Sequence, residues 1–237
     1  MGSVRLGDAM LKSKCKTLPD TLKLIFALAI VLGLSSCKSQ GDNLETLDPN
    51  LYDQSWLTGK PCAAPCWYGL EPGMSSREDS ITKVEQLPFI DSSSKRITGL
   101  IGAGFQFKKN QEPGSLTLGF KDDVLDAIYF HPNYQITFDQ AVEKLGSPDG
   151  FWLRPIAPDA GGCELMVIWK NKRIILWKEE STTGLYLFGG DLCTQVHDHG
   201  GKLPRNMLVE QVEIDLPGLI ETLMKQDSYN PWKGFAN

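Results

Sequence analysis

The chain has 237 residues, 41% of them hydrophobic, and carries 24 Lys or Arg against 29 Asp or Glu for a formal net charge of −5. That acidic balance lacks the basic face by which nucleic acid is held, so a nucleic-acid partner is excluded. The length suffices for one good core or two small ones, with about 70% of the unfolded surface buried on folding.

The first element is an export signal. Lys12, Lys14, Lys16 and Lys23 supply a positive end, Leu24 to Leu34 form an apolar run, and Ser35 and Ser36 are small residues of the kind that precede a cleavage site. The run of 11 residues falls short of the roughly 20 that a spanning helix needs. Leu34-Ser35-Ser36-Cys37 resembles the lipobox of bacterial lipoproteins. The resemblance implies that the Cys37 thiol is joined to diacylglycerol, that residues 1–36 are removed, and that Cys37 becomes the first residue of the mature chain. Two or three acyl chains, at about 0.8 kcal/mol per buried methylene, anchor stably where one does not. The implied location is the extracytoplasmic face of a bacterial cell membrane, inner or outer. Met10 is an alternative start, since residues 1–9 add nothing the signal requires. Residues 1–36 hold five basic and two acidic residues, so their loss takes the net charge from −5 to −8.

Cys15 leaves with the signal and Cys37 is taken by lipid. Cys62, Cys66, Cys163 and Cys193 remain, an even number in an oxidising compartment. Three pairings are open. Cys62 with Cys66 and Cys163 with Cys193 is the one that keeps each bridge within its own half.

Residues 37–60 read as the lipidated end and a largely disordered tether, in which Leu51, Tyr52, Trp56 and Leu57 can form a short docking segment. Residues 61–134 form a first α+β unit. Pro61 to Met74 is dense in turn formers and aromatics. Ser75-Ser76-Arg77-Glu78 reads as an N-cap with an acidic residue in the first turn of a helix running to about Gln86, Ile81, Val84, Glu85 and Leu87 give it a partial apolar stripe, and Pro88 stops it. Ile101, Ala103, Phe105 and Phe107 then alternate with small or polar residues. After a turn at Asn110 to Gly114, Leu116, Leu118 and Phe120 alternate again, and Lys121 to Asp123 turn the chain into Val124 to Phe130. The expectation is a three-stranded antiparallel meander with one apolar face.

Residues 135–237 repeat that order. Ile136 to Pro148 is a short capped helix with Phe138, Val142 and Leu145 on one side, ended by Gly146 and Pro148. Leu165 to Trp169, the turn Lys170 to Lys172, and Arg173 to Lys178 form a hairpin, and Leu185 to Phe188 can supply a third strand. A strand at Leu208 to Leu216, an amphipathic helix from Pro217 to Gln226 and an aromatic end at Pro231 to Phe235 close the chain. The fold class is α+β, as two tandem helix-plus-meander repeats followed by a C-terminal strand and helix.

The Gly-Met-Ser or Ile-Thr helix start, the Leu145-Gly146-Ser147-Pro148 helix end and a following meander with a Trp resemble the repeat of β-lactamase inhibitor protein and of the small lipoprotein of the outer-membrane β-barrel assembly machinery. Cys62 to Gly73 also resembles a stretch of lipoproteins from bacteria such as the Chloroflexi. The likeness spans about residues 61–193, and Gln86-Leu87-Pro88 departs from it in the first copy. It implies a curved sheet presented to protein partners.

Few residues offer chemistry. Cys62-x-x-x-Cys66 reads as a structural staple or as a thiol pair for redox or metal, and His197-Asp198-His199 as a polar loop or as two imidazoles pointing one way from a strand. Gly99 to Gly104 enters a strand, so no helix N-terminus receives a phosphate there. No nucleophile elbow, His-Glu-x-x-His or Cys–His arrangement is present. The leading reading is therefore a non-enzymatic binding or scaffolding module without cofactor, held to the membrane by lipid and meeting a protein partner in the cell envelope. A metal-binding or thiol-redox lipoprotein using Cys62, Cys66, His197 and His199 is the alternative. In Ile174 to Trp177, Ile175 and Trp177 face away from the side taken by Ile174 and Leu176, and Trp177 is expected beneath the C-terminal helix. Trp152 and Arg154, placed on a loop Phe151 to Arg154, are the expected partner contact.

Overall fold

A computed structural model describes residues 46–108, 114–156, 162–181 and 192–236. The export signal, Cys37, the front of the tether, most of the turn at Asn110 to Gly114 and the strand expected at Leu185 to Phe188 lie outside them.

The first half opens with α1 (Ser55–Thr58) and α2 (Arg77–Glu85), followed by β1 (Ile90–Thr98), β2 (Gly102–Phe107), β3 (Ser115–Lys121) and β4 (Val124–His131). The second half holds α3 (Phe138–Leu145), β5 (Gly150–Pro155), β6 (Gly162–Trp169), β7 (Ile174–Ser181) and α4 (Leu192–Asp198). It closes with β8 (Gln211–Ile214), α5 (Pro217–Leu223) and β9 (Tyr229–Pro231). Both longer helices start as their sequences dictate. The Ser76 side chain accepts the Asp79 N–H, and the Thr137 N–H donates to Gln140 Oε1 at 2.9 Å. Asp122 and Asp123 both take positive φ, 51° and 60°, the conformation that a two-residue hairpin turn between β3 and β4 demands.

Among the described residues all neighbouring strands are antiparallel and form one nine-stranded sheet in the order β1-β2-β3-β4-β8-β7-β6-β5-β9. The arrangement is α+β. β8, late in sequence, is inserted between the two halves and pairs with both. Ile214 faces Ile128 of β4 and Ile174 of β7, and Glu213 faces Tyr129 and Ile175.

Strand alternation divides the sheet into two faces. On one, Phe105, Leu118, Phe130, Leu165, Val167, Leu176, Val212 and Ile214 join side chains of α1 to α4 in a core that runs under both halves. On the other, Trp152, Met166, Ile168 and Ile175 are covered by Ile220 and Leu223 of α5, with Trp177 packed against them. The expected outward position of Trp177 and its cover by the closing helix are both found.

Several elements depart from the sequence reading. β1 was not expected, because its sequence is polar between Ile90 and Ile97; as an edge strand it has little to bury, and its register shifts between Asp91 and Arg96. A shifted edge bearing Lys95 and Arg96 also resists pairing with another sheet. The first meander is thus four-stranded. Phe151 to Arg154 lies in strand β5, not in a loop, paired with β6 on one side and β9 on the other. Gly150 permits that approach, since a Cβ there would lie 2.4 Å from the Asn230 carbonyl oxygen. His197 belongs to helix α4 rather than to a strand or loop. Finally, the docking segment expected within the tether is more deeply built than its four residues suggested. Buried Asp53 accepts from Trp67 Nε1 at 2.7 Å and from the Ser55 N–H at 2.9 Å, while Trp56 Nε1 donates to the Tyr134 hydroxyl at 3.1 Å.

Candidate functional site at the central strand

β8 reads Gln211-Val212-Glu213-Ile214, followed by Asp215. Period-two alternation sends Val212 and Ile214 into the core and Glu213 to the opposite face, with Asp215 two residues on. Flanking strands on both sides leave Glu213 only 1% and Asp215 only 5% exposed. Trp177 Nε1 donates to Glu213 Oε2 at 2.7 Å. Burial, and next the hydrogen bond and charge of Asp215, push the Glu213 carboxyl up to about 9. Burial raises Asp215 as well, although it accepts from Glu213 and from the Leu216 N–H. Both carboxyls are thus harder to ionise than free acids, because a second negative charge in this buried seam is disfavoured. Burial raises Tyr129, and the neighbouring Glu213 and Asp215 charges add to it. Arg173, at positive φ, donates Nε to the Asp215 carbonyl at 2.7 Å and Nη2 to the Pro72 carbonyl at 2.8 Å. At 1% exposure Glu213 meets no substrate. The arrangement is a polar lock between β4, β8 and β7, not an acid–base catalyst.

Toward the start of β8 the same seam opens into a cleft of about 600 Å³. Gln106, Ser115 and His131 line it from β2, β3 and β4, and Lys178 and Glu210 line it from the second half. Pro132, Tyr134, Leu208 and Val209 supply apolar wall. His131 Nδ1 donates to the Glu210 carbonyl at 2.9 Å, and Lys178 pairs with the Glu210 carboxylate. The Tyr134 hydroxyl donates to the Asp53 carbonyl at 2.8 Å, and at 3% exposure the side chain belongs to the core behind the cleft.

The residues singled out from sequence are scattered. Cys62 is joined to Cys66 and Cys163 to Cys193, with Cα separations of 5.6 and 5.7 Å. The first bridge shapes the turn before α2; the second ties β6 to α4. The His197 side chain is 90% exposed beside Asp198, and His199 follows the end of its helix. Among the described residues no three of His, Cys, Asp or Glu come together to hold a metal ion. Trp152, expected as an exposed contact, is instead 5% exposed beneath α5, with the Arg154 guanidinium 4.7 Å from its ring. Arg154 remains accessible and pairs with Glu164 at 2.7 Å. The correction follows from Trp152 alternating onto the face that α5 covers.

No family model, curated protein or solved structure matches this chain. Neither the lock nor the cleft was found by sequence reasoning. One signal was present for the lock: a Glu between the core residues Val212 and Ile214. The cleft gave none, since its residues come from four strands and two connections.

Proposed function

We propose that the chain is a lipid-anchored, extracytoplasmic binding protein without enzymatic activity, composed of two helix-plus-meander units clasped by β8. The observation that carries the binding role is the cleft of about 600 Å³ on the seam. It falls within the roughly 300–1,000 Å³ of small-molecule sites and combines apolar wall with a few polar groups, as such sites do. The anchor rests on Leu34-Ser35-Ser36-Cys37 after the apolar run. The two cysteine bridges agree with an oxidising compartment. Among the described residues no helix is long and apolar enough to cross a membrane, and in this reading the lipid supplies the attachment. Fractionation of cells expressing the full chain tests it: the wild type should be processed and pellet with membranes, and Cys37→Ser should leave the uncut precursor. If the substituted protein matures to the same size and pellets as before, the anchor is wrong.

A further inference from the structure

Hairpin loops are ordinarily made of Gly, Asn, Asp or Ser, and the turn between β3 and β4 follows that rule with Asp122 and Asp123. The loop between β1 and β2 does not. Thr98 pairs with Gly102, so the loop is Gly99-Leu100-Ile101. Gly99 takes the positive φ, 54°, that the bend requires, while Leu100 and Ile101 stand 79% and 70% exposed. Side chains so exposed add nothing to the core.

The loop belongs to a wider apolar rim. The Ile101 carbonyl accepts from the Phe120 N–H, Lys121 faces Val124 across the next turn, and Val124 bridges to Ser76, which brings Met74 to the same end. Arg77 ties the two turns together, donating Nε to Asp123 at 2.9 Å and Nη1 to the Gly99 carbonyl at 3.2 Å. Of the eight large hydrophobic side chains exposed among the described residues, five therefore collect at this end of the first meander: Met74, Ile97, Leu100, Ile101 and Val124.

The rim is aliphatic and its centre is a convex tip. Protein interfaces take their energy from Trp, Tyr and Arg seated in pockets, with Leu and Val under-represented. Fluid hydrocarbon needs no matching pocket. Only eight residues separate Cys37 from Thr46, so the described fold starts within about 30 Å of the lipid on Cys37. The chain enters at the opposite end of β4 from the tip, where the Leu51 carbonyl accepts from Asn133, and the eight residues of β4 span about 27 Å. A leash of that length lets the first meander lie along the bilayer with its tip in reach. Tethering also makes the second contact effectively intramolecular, so a small apolar surface suffices. Arg96 and Lys121, exposed beside the rim, can hold their charged ends among headgroups while their stems follow the aliphatic side chains down. Asp122 keeps the contact at the interface.

We infer that the rim around Leu100 and Ile101 is a second membrane contact, inserting into the interfacial layer of the bilayer that holds the lipid of Cys37. The inference rests on the anchorage proposed above.

The test uses the processed full-length lipoprotein in vesicles of equimolar phosphatidylethanolamine and phosphatidylglycerol, with and without doxyl-labelled lipid. A polarity-sensitive fluorophore is attached, without reduction, at Leu100→Cys, at Met74→Cys or at Glu143→Cys, the last exposed on α3 of the other half. Emission from the Leu100 and Met74 positions should shift to the blue and be quenched by doxyl lipid; the Glu143 position should show neither. Adding Leu100→Asp and Ile101→Asp should return the Met74 position to its aqueous emission without moving the melting temperature in detergent, and Leu100→Asp alone should return it in part. Aqueous emission at Leu100, or a Met74 signal indifferent to the Asp substitutions, overturns the inference. A blue shift at Leu100 that doxyl lipid does not quench also overturns it, because the tip is then covered by protein. Wild-type protein that floats with the vesicles while its tip stays in water refutes this contact alone. Failure to float overturns the anchorage, and this contact with it.

Discussion

The sheet on either side of β8 is built alike on one face and differently on the other. Toward the core, β2 to β4 and β5 to β7 both present alternate large apolar side chains. On the opposite face the first group carries Gly104, Thr117, Gln106, Ser115 and His131, partly or fully exposed. The second carries Trp152, Met166, Ile168 and Ile175, buried beneath α5. The single added helix accounts for the difference. Where a sheet is covered on both faces its strands become continuously apolar, and where one face meets water they alternate. Leu165-Met166-Val167-Ile168-Trp169 and Phe105-Gln106-Phe107 are those two cases within one sheet. The uncovered polar face is also where the cleft opens.

The largest expected break in that contrast comes from Trp152. Trp152→Ala should cost about 3–5 kcal/mol in denaturant unfolding, as removal of a buried aromatic does. Thr117→Ala on the uncovered face should stay within about 0.5 kcal/mol. Trp152 Nε1 is buried without a hydrogen-bond partner, so Trp152→Phe removes an unsatisfied donor and should cost much less than the alanine change. Equal losses for Trp152→Ala and Thr117→Ala would mean that α5 contributes no cover.

The two bridges sharpen the comparison next. Cys163 and Cys193 lie 30 apart in sequence and Cys62 and Cys66 only 4. On the loop-entropy account, replacing the longer pair by Ala should cost about 3–4 kcal/mol and the shorter about 2 kcal/mol. The longer pair closes β6 onto α4, so its loss should also raise amide exchange in α4 before the first meander responds. Non-reducing peptide mapping that joined Cys62 to Cys193 would remove the basis for both figures.

Much of this was legible in the sequence because it depended on local chemistry. The caps at Ser76 and Thr137, the alternation of Leu116-Leu118-Phe120 and the doubly buried run at Ile174 to Trp177 each carry their own signal. What was not legible depended on partners far away in the chain. β1 and β5 are strands because β2, β6 and β9 pair with them; the residues of β1 are mostly polar and carry no alternation, and Phe151 to Arg154 of β5 read as a loop. The same holds for Trp152, whose burial is decided by α5 more than sixty residues later, and for the cleft, which exists because β8 returns to lie between β4 and β7. His197 was misplaced because two His at i and i+2 next to Gly200-Gly201 give no helical stripe, whereas Leu192 and Val196, four apart and buried, do.

The subtlest expected effect lies at the seam itself, where the covered and uncovered faces meet. Glu213 is faced by Asp215 just past the end of its strand, by Tyr129 from β4 and by Trp177 from β7, and Asp215 in turn by Asp126 from β4 and by Arg173 from the turn before β7. An unfolded Glu titrates near 4.5, and in the fold burial moves this one up to about 9. Between those values the native chain keeps a proton that the unfolded chain releases. Linkage then makes stability fall as pH rises across the window, with no contribution from this group below about pH 4.5 and the full cost above about pH 9. Glu213→Gln retains an acceptor for Trp177 and supplies a donor toward Asp215, so it reproduces the protonated acid. Melting curves from pH 4 to pH 10 should coincide for the two proteins at the acid end and separate as pH rises, with the Gln variant the more stable. Parallel curves would show that the lock holds Glu213 as a carboxylate. A Gln variant less stable throughout would show that the shared proton is replaced badly by an amide, and that the seam depends on the acid itself.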